Sequence, residues 1–317
     1  MKLDVCVLKF KGKLHIGSGR WLEHIDNIIH SDTLFNAICW CYRMLYGNDQ
    51  LEEFLNRFAY STPLYITSAF PFIDGLYFFP RPMNCNLAKL LRDASKDVMV
   101  DNKAIKKIRF VEKGIFEKLI NLENVNGVLS DQFFSSKEVN IKPEYVEYRN
   151  MLDRLSKSST VYRVKYVNSN YWFAYKVSSE YSNAIKASIR LLADEGIGGE
   201  RSIGSGLFSV DFTSIDVKSV DESRRVVTLS LVNPSIQEVS EFVGDEYAKY
   251  MVIRRGGGFT DPRLSSNERR RSLYMITEGS FLPCITGRVV NIGVDKQVYE
   301  YGICFGIGAR YEEERRA

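Results

Sequence analysis

The stretch GIGGERSIGSGLF, residues 196–208, decides how this chain is read. Five glycines fall within eleven residues, with Arg201 and Ser202 among them. Before it, residues 179–195 place Tyr181, Ile185, Ile189 and Leu192 at helical spacing, and Gly196 supplies the stop. After it, 207–212 alternates as a strand does. Glycine tolerates positive φ and lets another backbone come close. Successive backbone amides form anion nests, and an arginine and a hydroxyl add contacts to phosphate or ribose. A plain tight turn is the alternative, and the density of glycine beside arginine favours contact with a ligand. Gly198, Gly199, Arg201, Ser202 and Gly204 are the candidate contacts. The order helix, loop, strand excludes a dinucleotide-binding fingerprint, which runs strand, loop, helix. No Gly-Lys-Ser/Thr follows, so this is not a Walker loop.

Outward from this loop the pattern reads as follows. Residues 3–10 form a strand, 12–30 a loop rich in Gly and His, and 33–46 a helix that Ser31 and Asp32 can cap. Strands are expected at 64–67 and 76–79. Residues 83–150 mix short helical patches with polar connections and read as an insertion. Residues 160–168 and 171–177 alternate around 168–171 and predict a hairpin. The order β, α, β, β, insertion, α, β is the ferredoxin-like plan. Residues 217–317 read as a second, degenerate copy. The expected fold class is therefore α+β: two ferredoxin-like (RRM-like) domains, 1–216 and 217–317, with a central insertion at about 83–150 and the glycine-rich loop.

Composition excludes several classes. The 317 residues are 45% hydrophobic and 26% charged, and no apolar run approaches the ~20 residues of a membrane span. The N-terminal MKLDVCVLKFKGKLH alternates like a strand and lacks the apolar core of a signal peptide, so a cytoplasmic location is expected. Six cysteines form no C-x-x-C pair, so neither zinc nor another cofactor is expected. A net charge of +4 is mild; the placement of the arginines, rather than their number, points to nucleic acid.

Three further groups are candidates. RRGGGF, residues 254–259, repeats the chemistry of the first loop with Arg254, Arg255, Gly256, Gly257 and Phe259. Between 149 and 176, Arg149, Arg154, Arg163 and Lys165 interleave with Tyr162, Tyr166, Tyr171, Trp172 and Phe173, which suits single-stranded RNA; an amphipathic hairpin with core aromatics is the alternative. His15, His24 and His30 lie within sixteen residues, with Gly17 and Arg20 beside the first of them. Histidines so grouped suggest catalysis or a metal, but no Asp, Glu or Cys set with ligand spacing accompanies them. A fold or RNA-contact role is favoured. Asp32, in the first helical turn, suits the positive end of the helix dipole. The run Arg269 to Arg271 reads as a solvated face.

The loop G-x-G-G-x-R-x-x-G-x-G-x-F resembles the glycine-rich loop of the RAMP superfamily of CRISPR proteins. Other segments narrow the likeness to the fourth subunit of Csm-type (type III-A) effector complexes. These are His15-Ile16-Gly17, then HSDTLFNA at 30–37, YFFPRP at 77–82, RRGGGF at 254–259, SLYMITEGSF at 272–281, and NIG at 291–293 with VYEY at 298–301. Asn150 to Arg154 resembles an x-D-R element found before the thumb hairpin of RAMP subunits. The resemblance implies a non-catalytic subunit that binds the 5′ tag of the CRISPR RNA (crRNA) and bridges the large polymerase-like subunit to a backbone RAMP subunit. Some RAMP relatives are endoribonucleases that process repeat RNA with loop histidines, and that is the alternative function.

Overall fold

The protein is described by a computed structural model covering residues 1–17, 23–94, 102–142, 144–221, 223–258, 269–293 and 298–311. Its elements begin with β1 (Lys2–Phe10), α1 (Ser31–Tyr46), α2 (Asn48–Arg57), β2 (Leu64–Ile66), β3 (Phe70–Ile73) and β4 (Leu76–Pro80). Next come α3 (Leu87–Ala94), α4 (Asn102–Lys107), β5 (Phe110–Glu112), α5 (Lys113–Ile120), β6 (Val128–Ser130) and β7 (Phe133–Ser135). Then follow β8 (Tyr145–Leu152), β9 (Ser159–Tyr166), β10 (Asn170–Val177), α6 (Ser182–Glu195) and β11 (Phe208–Asp216). The remainder holds β12 (Arg225–Thr228), α7 (Ile236–Phe242), β13 (Val252–Gly258), β14 (Arg269–Ile276), β15 (Phe281–Pro283), β16 (Val290–Asn291), β17 (Tyr299–Glu300) and β18 (Gly306–Gly308).

The fold is α+β, built on a mixed nine-stranded sheet in the order β11-β1-β10-β3-β4-β5-β7-β6, with β2 also on β10. The first four strands are antiparallel neighbours. They take the order that a β-α-β-β-α-β unit of β1, α1, β3, β10, α6 and β11 adopts. Alternation along β1 explains its central place. Leu3, Val5 and Val7 join one core cluster, Cys6 and Leu8 the other. Helices α1 and α6 cover the second face through Leu34, Ile38, Ile185 and Ile189. The first face is covered by Val227, Leu229, Phe281, Phe305 and Ile307 from the C-terminal part. Each fully buried side chain of this size contributes roughly 1.5–3 kcal/mol relative to exposure. The two parts of the chain therefore share one core.

Several expectations are corrected. The hairpin of 160–168 with 171–177 does not form: β9 pairs with β8, from Tyr145 opposite Tyr166 to Leu152 opposite Ser159. The reason is burial. Tyr171 to Tyr175 are all buried, because β10 lies inside the sheet with both faces covered. The outer ends of β8 and β9 are exposed on both faces and form a ribbon of their own. Asp153 and Arg154 sit at its tip rather than before it. The Asp153 amide donates to Ser158 O (2.9 Å), and its carboxylate accepts from Leu155 N and Ser156 Oγ (both 2.8 Å). Within the segment 83–150, β5, β7 and β6 continue the main sheet beyond β4. Among the described residues the C-terminal part makes a three-stranded sheet β15-β12-β18, the single short helix α7 and two ribbons, β13-β14 and β16-β17. Finally, Ser31 and Asp32 belong to α1, whose cap residue is His30.

Candidate nucleic-acid interface

A cleft of about 470 Å³ opens between α1, the Gly17 segment and the glycine-rich loop. Gly198, Gly199 and Arg201 line one wall, and Trp40 and Arg43 of α1 line another, over an apolar floor that includes Leu14, Ile29 and Phe35. The Arg43 guanidinium lies 4.3 Å from the Trp40 ring centre.

The glycines of the loop serve the chain's own backbone first. Gly199 N–H donates to His15 O (2.9 Å), Gly206 N–H to Lys13 O (2.7 Å) and Ile197 N–H to Gly206 O (3.1 Å). Gly198 has φ +91°, and a Cβ there would meet His15 O at 2.4 Å; at Gly206, with φ +80°, it would meet Ile197 O at 2.0 Å. At Gly199 a Cβ would meet the His15 ring at 2.6 Å. Close packing on His15 and Ile197 thus excludes a Cβ at these glycines. Gly204, with φ +84° and open space beside it, is shaped by conformation alone. Gly198→Val is expected to lift the loop off the strand and to lower stability by about 1–3 kcal/mol, the cost of backbone strain at a special φ. Thermal unfolding reads the loss, and a variant as stable as the parent would refute the packing argument.

The expected cationic contacts divide sharply. Arg201 is half-buried in the cleft wall and, among the described residues, makes no ion pair or hydrogen bond through its guanidinium. Ser202 beside it is exposed. Arg154, at the ribbon tip, and Arg254, on the outer face of β13, are exposed and likewise unpaired among the described residues. Others are committed. Arg163 holds Glu23 through two contacts (3.1 and 2.9 Å), Lys165 pairs with Glu144, and Arg149 bonds Glu200, Glu147 and Tyr166. Arg255, next to Arg254 on an alternating strand, points inward: Nε donates to Asp32 Oδ2 (2.7 Å) and Nη2 to Asp32 Oδ1 (2.9 Å) and Thr33 Oγ1 (3.0 Å). Its guanidinium is engaged by the fold, and the residue also lines the cleft. Gly256 and Gly257 lie within β13, and a Cβ at Gly256 would meet Ser272 Oγ at 2.8 Å. Arg20 and Phe259 lie outside the described residues.

The aromatics of 162–173 are mostly core: Tyr166, Tyr171, Trp172 and Phe173 are buried, and Trp172 Nε1 donates to Phe78 O (2.9 Å). Stacking surface near the loop comes instead from Trp40, which the sequence reading passed over. Its signal was available, as Trp40 and Arg43 stand three apart on one helix face.

The three histidines do not converge on one centre. His24 is exposed. His15 is buried with Nδ1 2.8 Å from Lys165 O. His30 is buried between Glu278 (Nδ1 to Oε1, 2.8 Å) and Asp26 (Nε2 to Oδ2, 3.3 Å). Burial alone would lower its pKa, but the two carboxylates overcome this and hold it at about 9. Burial disfavours the charged form of Asp32 too, and Arg255 overcomes it, bringing Asp32 down to about 2. Glu278 also bonds Ser68 Oγ, whose oxygen accepts from Ser31 N (2.8 Å), while Ser31 Oγ accepts from Leu231 N (3.0 Å). His30, Ser31 and Asp32 therefore form a buried polar clamp onto the C-terminal part. Among the described residues no group of three or more His, Cys, Asp or Glu side chains is placed to hold a metal ion. Nor is any helix among them long and apolar enough to cross a membrane.

Comparison with known proteins places this architecture. Residues 7–209 match the RAMP superfamily. The chain belongs to the RAMP superfamily. Residues 221–309 match the CRISPR Csm4 C-terminal domain. The CRISPR system Cms protein Csm4 of Methanocaldococcus jannaschii is 26% identical, covering 89% of this chain and 86% of that protein. Its counterpart in Thermococcus onnurineus is 26% identical over 90% and 93%. A chain of the Csm3–Csm4 subcomplex in the type III-A CRISPR-Cas interference complex matches the fold with a TM-score of 0.66 at 19% identity, over 97% of this chain and 100% of that one. A chain of a Csm1–Csm4 cassette in complex with cA4 gives 0.65 at 21%, over 98% and 99%.

Proposed function

We propose that this protein is the non-catalytic subunit of a type III-A Csm ribonucleoprotein that holds the 5′ tag of the crRNA in the cleft beside the glycine-rich loop. In this reading it also joins the large polymerase-like subunit to a backbone RAMP subunit. The observation that carries the reading is Arg201, a cation without a protein partner among the described residues, set beside two close-packed glycines and across a cleft from Trp40 and Arg43. Phosphates take the charge of such a groove while bases stack on its rings. Gly17 lines the same cleft, and Ser202, Arg254 and Arg154 are exposed. Of the similar structures, one is a complex with Csm1 and another a complex with Csm3, which supports contacts with two kinds of protein partner. The non-enzymatic reading is supported by the histidines: His15 and His30 are buried and bonded, which leaves neither placed as a general base toward RNA. We keep 1–216 and 217–317 as two sequence units that fold around a shared core.

Arg201→Ala is expected to weaken binding of tag RNA by about 10- to 150-fold, equivalent to about 1.5–3 kcal/mol for a charged hydrogen bond. It should also flatten the salt dependence by roughly one unit of slope. Fluorescence anisotropy at several salt concentrations measures both, with Lys218→Ala as the control. Tag RNA bound equally well by Arg201→Ala and the parent would place the RNA elsewhere.

A further inference from the structure

Helix α1 turns one face towards the cleft beside the glycine-rich loop. Thr33, Asn36, Trp40 and Arg43 follow one another on it at three- and four-residue spacing. All four line the cleft, and all are half-buried, so each keeps accessible surface. On the reading that RNA occupies this cleft, we propose that Asn36 is a specificity-determining residue, favouring a base that carries an exocyclic amino group.

Much of the hydrogen-bonding capacity in the cleft is already spent on the fold. Thr33 Oγ1 accepts from Arg255 Nη2 (3.0 Å) and donates to Asp32 Oδ1 (3.2 Å). Both His30 nitrogens are bonded to carboxylates, and Arg255 is held by Asp32. Asn36 differs. Its Nδ2 donates to Oε1 of Glu300 (3.4 Å), a residue only 1% exposed. Its Oδ1 has no partner among the described residues. The buried carboxyl thus takes the donor side of the amide and leaves the acceptor available. Trp40 stands one turn further along the same helix face and supplies ring surface for stacking. Arg201, also without a partner among the described residues, lines the wall formed by the glycine-rich loop and can take a phosphate. Among the described residues lining the cleft there is no aspartate or glutamate, so the wall carries no anion to repel a nucleotide. A lone acceptor selects for donors. Adenine, cytosine and guanine each offer an amino group, whereas uracil offers one N–H flanked by two carbonyls that would crowd the same oxygen.

The test compares two short single-stranded RNAs that differ in one group. One is a run of adenosines; the other is the same run built from purine riboside, which is adenosine without its amino group. Fluorescence anisotropy reads the binding of each to the full chain. The parent is expected to bind the amino form about 3- to 10-fold more tightly, the range for one neutral hydrogen bond. Asn36→Ala should bring the two affinities together, with its thermal midpoint checked for folding; the comparison within the parent needs no variant at all. Trp40→Ala should weaken both RNAs and keep their ratio. Equal binding of the two RNAs by the parent overturns the proposal. So does a preference that survives in a folded Asn36→Ala, and so does a failure of the parent to bind either RNA. Arg201→Ala separates this assignment from the tag-binding reading. If it weakens both RNAs while the parent shows no amino preference, only the role of Asn36 falls. If it changes neither RNA while the preference holds and depends on Asn36, the phosphate contact is misplaced and the role of Asn36 stands.

Discussion

Asp32→Ala is expected to lower the stability of the fold by about 3–5 kcal/mol, the range for removing one partner of a buried ion pair. Asp32 is wholly buried, and both of its carboxylate oxygens accept from Arg255. Alanine removes the carboxylate hydrogen-bonded to that buried guanidinium, leaving it, among the described residues, only the through-space attraction of Glu278 and Glu300. The hydrogen bond from the Thr33 amide to Asp32 Oδ1 (2.6 Å) is lost as well. Replacing both residues with apolar ones of similar size, Asp32→Leu with Arg255→Met, should recover much of the loss, because desolvating the pair offsets most of its attraction. Urea unfolding of the two single variants and the double gives the coupling directly. A coupling energy near zero would mean that the pair is not what holds β13 to α1.

The second large effect is a loss of stability at high pH. His30 has a folded pKa of about 9, above the ordinary value of 6.5. Its contribution is therefore complete below pH 6.5 and disappears as pH rises through about 9. Over that window the loss amounts to roughly 3 kcal/mol, because each pH step between the two values is worth about 1.4 kcal/mol. Asp32 sets the opposite limit. Its lowered pKa adds stability above about pH 4, and this is lost as pH falls towards 2. Asp26 acts in the same direction: burial works against its carboxylate, but His30 and Arg109 hold its pKa below the usual range. Denaturation midpoints between pH 6 and 10 should fall for the parent and stay nearly flat for His30→Gln. A parent curve that stays flat up to pH 10 would show that His30 is not charged in the folded state.

The sequence was informative wherever one local pattern controls an element. The apolar spacing of 179–195 gave α6 to within a turn, and the alternation of 3–10 gave β1. The glycine-rich loop was placed correctly between α6 and β11, but the sequence did not show that its glycines pack on His15 and Ile197. The gap has a physical origin: sequence shows that a Cβ is forbidden, not what forbids it. The fate of 160–177 turned on whether a strand is covered on one face or two, a property of the C-terminal residues that pack over β10. The roles of Arg255 and Asp32 were hidden for the same reason. Each looked complete locally, one as a basic loop and the other as a helix-dipole acid, and only the fold brings them together from 223 positions apart.

That distance has a consequence for how the protein is made. The three contacts of the clamp join His30 to Glu278, Ser31 to Leu231 and Asp32 to Arg255, spanning 248, 200 and 223 positions. At a synthesis rate of roughly 5–20 residues per second, helix α1 leaves the ribosome roughly 10–50 s before its last partner exists. For that interval the nascent chain carries a histidine, a serine and an aspartate that have only water for company, at the head of a helix whose apolar face is already collapsing. The final closure is a long-range event of the kind that slows folding. A message truncated anywhere before codon 278 thus yields a chain that cannot complete its own interior.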